Sequence, residues 1–152
     1  MKQGVPRWVT TDDAIVAAYI ELVDKVCPCV VLVHSQAGSF GFKVAEARPD
    51  KVKALIAVEP SAIGAKDKVA TLKMPIVVIY GDNAKEHPRW GKIRQNVVDY
   101  VGTIKAAGGN VETIDLPDIG IKGNTHMVMM DRNSDAVAEV IQKWLMGKGL
   151  AE

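Results

Sequence analysis

Ser35, three histidines and two carboxylates at the ends of apolar runs are the residues of this chain whose types and spacing could support covalent chemistry. Ser35 stands in the segment 30–38 (VVLVHSQAG), where a β-branched run breaks at His34-Ser35-Gln36 and passes through Ala37 and Gly38 into a helix-like stretch. That is the shape of a strand, tight turn and helix that hold a nucleophilic serine at a strained corner above the strand end. A serine hydroxyl is a weak nucleophile at neutral pH, so it needs a base in reach and donors for the oxyanion that forms when it attacks a carbonyl. The turn exposes the hydroxyl of Ser35, and the backbone N–H of Gln36, at the start of the helix, is the candidate oxyanion donor. Small residues must follow the turn, and Ala37 and Gly38 meet that demand; Val33, however, stands where the G-x-S-x-G pattern has its first glycine.

The base has three candidates. His34 adjoins Ser35, so its side chain leaves the other side of the backbone and is read as packing or hydrogen-bonding beneath the turn. His87 sits in the polar stretch 85–89 (KEHPR) and reads as a solvated loop residue. His126 follows Gly123-Asn124-Thr125 and precedes an apolar run, 127–130 (MVMM). Serine early and histidine late is the chain order of one class of Ser-His-acid triads, which makes His126 the candidate base. An acid must then hold the imidazole in the tautomer that leaves Nε2 free to accept the serine proton. Two carboxylates compete for that place. Glu59 closes a nearly all-apolar run in 57–60 (AVEP), and Asp82 follows Gly81 after the next such run, while the position where a G-x-x-D turn would put its acid is Ala84. Glu59 is favoured because its extra methylene lets it reach the same imidazole from one strand over, about 5 Å away; Asp82 remains the alternative.

These groups need elements to position them. Thr11 can cap a helix over about 12–26, with Ile15, Ala18, Tyr19, Leu22 and Val26 at helical spacing. Strands are expected at about 29–33, 52–58, 75–80 and 111–116. Helices are expected at about 37–47, 90–107 and 135–146, the last capped by Ser134, and 60–74 is a short polar connection. The second strand is nearly all apolar and the third continuously so, the habit of parallel strands buried on both faces. Strands alternating with helices define an α/β domain with a mainly parallel sheet of about four strands. In such sheets the carboxyl ends of the strands gather the site, and Ser35, Glu59 and Asp82 all fall there, with His126 in the loop after the fourth.

Composition bounds the rest. A chain of 152 residues with 48% hydrophobic content is long enough for one domain, taken here as 1–152. Nineteen Lys and Arg against 18 Asp and Glu give a net charge of +1, with no basic stripe, so nucleic acid is not an expected partner. No apolar run approaches the roughly 20 residues of a membrane span, and the opening residues 1–6 (MKQGVP) lack the apolar core of a signal peptide. As it stands, the chain is expected to be cytoplasmic and off the membrane. Cys27 and Cys29 flank Pro28; two residues apart in a segment becoming extended, they are expected as reduced thiols, too few for a metal site. No metal or cofactor is expected. The turn after the first strand has neither a G-x-G-x-x-G pattern nor a phosphate-loop lysine, which disfavours a nucleotide-binding module.

Taken together, the blocks His34 to Gly38, Val58 to Pro60 and Gly123 to Met127 resemble the C-terminal half of an α/β-hydrolase fold esterase. The likeness is to a bacterial subgroup with a His-Ser-Gln-small-Gly elbow and a glutamate as triad acid. The resemblance covers the chain from about Thr11 onward and implies Ser35 as nucleophile, Glu59 as acid and His126 as base, with a small-molecule ester as substrate. The family carries several strands before the elbow, whereas 28 residues precede the first strand here. The missing half normally supplies a second oxyanion donor, whose loss costs on the order of 3 kcal/mol of transition-state stabilisation. The first strand would also keep an apolar edge uncovered, which predicts a homo-oligomer or a separate fragment covering it. The short 60–74 connection leaves little material for a lid, so small soluble esters are the expected substrates. The competing reading is a truncated, catalytically silent module that self-associates.

Overall fold

The computed structural model describes residues 9–152; residues 1–8, on which the reading of an absent signal peptide rests, lie outside it. The main elements are α1 (Asp12–Val26), β1 (Cys29–His34), α2 (Ala37–Ala47), β2 (Val52–Val58), β3 (Ile76–Tyr80), α3 (Pro88–Ala106), β4 (Val111–Asp115) and α4 (Ser134–Gly147). The strands form one sheet in the order β1-β2-β3-β4, with every neighbouring pair parallel. The connection between β2 and β3 carries only a short 3-10 segment, Lys66–Thr71. This is the α/β class that the alternating pattern predicts.

Side-chain alternation along the central strands splits the core in two. Leu55, Ala57, Ile76, Val78 and Tyr80 face a layer built from Val23 of α1, Phe42 and Val44 of α2, and Val97, Tyr100 and Ile104 of α3. Ala54, Ile56, Val58, Val77 and Ile79 face the other way, onto Leu116, Val128, Val137 and Trp144. The sheet is therefore covered on both faces, which is why β2 and β3 tolerate no polar residue inside except the exposed Lys53.

Local chemistry moves two helix starts. His87 caps α3, its Nδ1 accepting from the amides of Arg89 and Trp90 at 3.2 and 3.3 Å, with Pro88 in the first turn. Proline suits that place because its missing N–H would have had no partner, so α3 begins earlier than the apolar spacing alone predicts. Ser134 is the first residue of α4 and not its cap; Asn133 holds the cap position. The Asn133 amide instead donates to the Lys122 carbonyl at 2.9 Å and pairs with the Asn124 side chain.

The cysteines require a correction. Cys27 and Cys29 are joined in a disulfide, not held as thiols. Two extended residues would set their Cα atoms about 7 Å apart. The chain bends at Pro28, and the pairing of β1 with β2 shifts register between Cys29 and Val30, which brings the Cα atoms to 4.5 Å. The opposite-face argument fails because the strand begins only at Cys29.

Glu46 is buried under the segment that follows β2, accepting from the Tyr100 hydroxyl and the Ala65 amide, both at 2.8 Å. Burial pushes its carboxyl above the ordinary carboxylate range, against the pull of those two donors. An acid that holds its proton more firmly when folded loses stability as pH rises from the unfolded-state value through the folded one. Glu46→Gln keeps an acceptor oxygen without the charge. It is expected to resist urea better than the wild type at pH 8 and to converge with it at pH 4.

Candidate active site

Two backbone positions mark the site before any side chain does. Ser35, between β1 and α2, has φ +55°, and Glu59, directly after β2, has φ +48°; they are the two non-glycine residues with positive φ among the described residues. Such conformations cost on the order of 1–3 kcal/mol each and persist only where surrounding structure enforces them. Here neighbouring strands do the enforcing. The Ser35 amide donates to the Val58 carbonyl at 3.0 Å, the Ser61 amide to the Ser35 carbonyl at 3.0 Å, and the Glu59 amide to the Ile79 carbonyl at 2.8 Å. Gly38 explains the small residue after the turn: a Cβ there would stand 2.6 Å from the Pro60 Cβ, wedging α2 away from the Glu59 corner.

The side chains meet across this rim. His126 Nε2 lies 2.7 Å from Ser35 Oγ, and His126 Nδ1 lies 3.2 Å from Glu59 Oε2. The other Glu59 oxygen, Oε1, accepts from the Gly81 amide at 2.5 Å, and the residue is only 4% exposed. A carboxylate fixed in this way favours the proton on Nδ1, which leaves Nε2 to accept from the serine hydroxyl. Gly81 permits the approach, since a Cβ there would lie 3.2 Å from Glu59 Oε1 and 3.0 Å from the Asn124 Cβ.

The remaining candidates fall around this relay. Asp82 does not bond His126; its Oδ2 accepts from the Asn124 amide at 2.8 Å and so steadies the loop that carries His126. The same loop is tied by Asp131, which accepts from the Thr125 amide at 2.7 Å and the Thr125 hydroxyl at 2.9 Å. Gln36 occupies the cap position of α2 next to Ser35, where helix-start N–H groups lack intrahelical acceptors. His34 Nε2 lies 2.7 Å from the His126 carbonyl; a carbonyl only accepts, so this nitrogen carries the hydrogen and donates. One wall residue was missed in the sequence. Trp90 lines the cleft with Glu59, His87, Asn124 and His126, and its ring centroid lies 4.3 Å from that of His126. The signal available was the His87-Pro88 helix start, which places Trp90 in the first turn of α3.

Behind the rim, Tyr80 is buried and donates to the Pro60 carbonyl at 3.3 Å. Burial, and next the Glu59 charge, drive its hydroxyl well above the usual phenol range, so it stays a neutral donor. Arg94 lies over its ring and pairs with Asp115 at 2.6 Å. Among the described residues no group of three or more His, Cys, Asp or Glu side chains is arranged to hold a metal ion. No helix there is long and apolar enough to cross a membrane.

Comparison with known proteins finds an esterase and a lipase among the matches. A structure described as that of a novel bacterial esterase superposes with a TM-score of 0.87 and 34% identity, covering 99% of this chain and 48% of the other. A probable secreted lipase, phiG, of Fungal sp. (strain ATCC 74256) is 28% identical over 84% of this chain and 48% of its own length. A predicted CIB-like hydrolase from Thermoplasma acidophilum matches at a TM-score of 0.57 and 17% identity, over 86% of this chain and 60% of that one, a likeness of fold alone. No family model matches the chain. The chain spans about half the length of the esterase and lipase it matches.

Proposed function

The chain is a relative of the α/β-hydrolase esterases and lipases, and from that premise we propose that it carries a serine esterase centre built from Ser35, His126 and Glu59. The observation that supports this most is the continuous relay from Ser35 Oγ to His126 Nε2 at 2.7 Å and from His126 Nδ1 to Glu59 Oε2 at 3.2 Å. In the proposed reaction Ser35 Oγ bonds to the ester carbonyl carbon while its proton passes to His126 Nε2. The backbone N–H of Gln36 faces the oxyanion. Collapse of the tetrahedral species breaks the bond to the alcohol, which leaves with the proton from His126. A water activated by the same imidazole then releases the acid and restores Ser35. The Glu59 carboxylate, bonded at Nδ1, stabilises the imidazolium. No cofactor enters this scheme, and small soluble esters suit a rim that carries little lid.

An alkyl fluorophosphonate tests the reading directly, because it is captured by an activated serine and not by an ordinary one. Incubation is expected to add one phosphonyl group to the peptide that contains Ser35, and Ser35→Ala protein is expected to stay unmodified. An unmodified wild type, folded by circular dichroism, would leave the silent-module reading standing.

The outer edge of β1 bears on the assembly in which this chemistry runs. Leu32 of β1 is 55% exposed, beside Val26 and Leu22 of α1 at 63% and 51%. Met129 and Met130 continue the apolar surface on the other face of the sheet, at 48% and 73%. An apolar strand edge with open backbone groups is a template for pairing. A second copy of the chain is the occupant we propose. Sedimentation at micromolar concentration is expected to give a mass of two chains or more, and Leu32→Lys to lower it; a wild type that stays single would refute the pairing.

A further inference from the structure

Trp90 takes no part in the proton relay, yet among the described residues it is the aromatic ring nearest the imidazole that does. Its centroid lies 4.3 Å from the His126 centroid with the planes tilted by 40°. That is inside the roughly 6 Å over which an indole attracts a cation by its ring quadrupole. His126 is neutral when Ser35 rests and cationic once it has taken the serine proton, so an adjacent π system interacts more strongly with the second state than with the first. Only an interaction that strengthens toward the transition state accelerates a step.

The placement is built in. Trp90 is held by its own amide, which donates to His87 Nδ1 at 3.3 Å, and by the start of α3 that this cap fixes. On the His126 side, the backbone of the same residue is fixed by the His34 ring, which donates to its carbonyl at 2.7 Å and lies 4.8 Å from the imidazole, centroid to centroid. Among the described residues the titratable groups around the imidazole are Glu59 from the end of β2, His34 from the end of β1, His87 across the cleft at the start of α3, and Asp82 and Asp131, which bond the backbone of Asn124 and Thr125 beside it. Glu59 supplies the anion at Nδ1, and Trp90 supplies a face that needs no counter-charge.

We propose that Trp90 is a positioning residue of the esterase centre, holding the His126 ring in line with Ser35 and favouring the imidazolium that forms during acyl transfer. This rests on the esterase reading, and two measurements separate the failure of one from the failure of the other. With a nitrophenyl acetate substrate, Trp90→Leu is expected to lower kcat about tenfold, equal to about 1.4 kcal/mol, with KM within about twofold of the wild type. Trp90→Phe, which keeps a ring, is expected to recover most of that loss. A raised KM with unchanged kcat would make Trp90 a substrate contact and overturn the proposal, as would equal losses for Leu and Phe.

The second measurement needs no turnover. A cationic imidazole in contact with indole quenches its emission, so in Ser35→Ala protein the emission that disappears with Trp90→Phe is expected to dim on acidification. Adding His126→Gln should abolish the dimming, and adding His87→Asn, which preserves a helix cap, should leave it intact. Dimming that survives His126→Gln, follows His87 or never occurs overturns the contact. If the chain turns over no ester while the dimming behaves as expected, the catalytic reading fails and the Trp90–His126 contact stands.

Discussion

Glu59→Gln is expected to lower kcat for a small ester about 10⁴-fold while leaving the fold in place. The glutamine oxygen can keep the bond from the Gly81 amide, which Glu59 Oε1 now accepts at 2.5 Å. Its NH2 group must then turn toward His126 Nδ1, where Glu59 Oε2 now stands at 3.2 Å. A donor in that position requires Nδ1 to be bare, which moves the ring proton to Nε2. Nε2 can then no longer accept from Ser35 Oγ, 2.7 Å away. The imidazolium also loses its anion. Asp82→Asn provides the contrast: its Oδ2 accepts from the Asn124 amide and not from His126, so weakening that bond should loosen the loop and cost far less. Steady-state rates on nitrophenyl acetate, with circular dichroism as the check on folding, separate the two. A Glu59→Gln rate within tenfold of the wild type would remove Glu59 from the relay.

Phe42→Ala is expected to cost about 3–5 kcal/mol of folding stability, read from the urea midpoint at constant m-value. Phe42 is fully buried on α2 and meets Tyr100 of α3 edge-on, with centroids 5.2 Å apart and planes at 86°. Tyr100 is in turn fixed by its bond to Glu46. Truncation leaves a cavity in the layer that supports α2, and α2 carries the Ser35 corner at its head. The loss is a large share of the roughly 5–15 kcal/mol that holds an ordinary domain folded, so the variant should unfold at a much lower urea concentration. A shift of less than about 1 kcal/mol would mean that the layer collapses readily around the gap.

What was readable in the sequence was local. The nearly all-apolar run at 52–58 and the β-branched run at 76–80 fix β2 and β3 because an apolar stretch of that length has few other homes, and Gly and Pro mark their ends. Ser35 announces its corner through the small residues after it, whose need is visible in the approach of Pro60 to Gly38. What escaped was set by partners far along the chain or by bends of a single residue. Trp90 looks like one more apolar residue of a helix until α3 is packed beside the loop that carries His126. Asn133, not Ser134, stands at the cap position of α4, and its side chain bonds Lys122 and Asn124 far along the chain instead of capping the helix. The disulfide depends on a bend at Pro28 that a period-two reading of the segment smooths away. Of the two carboxylates left in competition, the structure sets Glu59 beside the imidazole and Asp82 against the backbone of its loop.

The strand-to-strand bonds of the rim have a thermal consequence. Ser35 and Glu59 ride on one rigid rung, because the amide of the first is bonded to the strand that ends in the second. His126 arrives separately, on an irregular segment moored by Asp82, Asp131, Asn133 and the His34 ring. Warming should therefore unmoor the imidazole before it melts the sheet, so that the relay disengages reversibly while the domain is still intact. Tolerance to heat would then be set by these side-chain moorings and not by the apolar core beneath them.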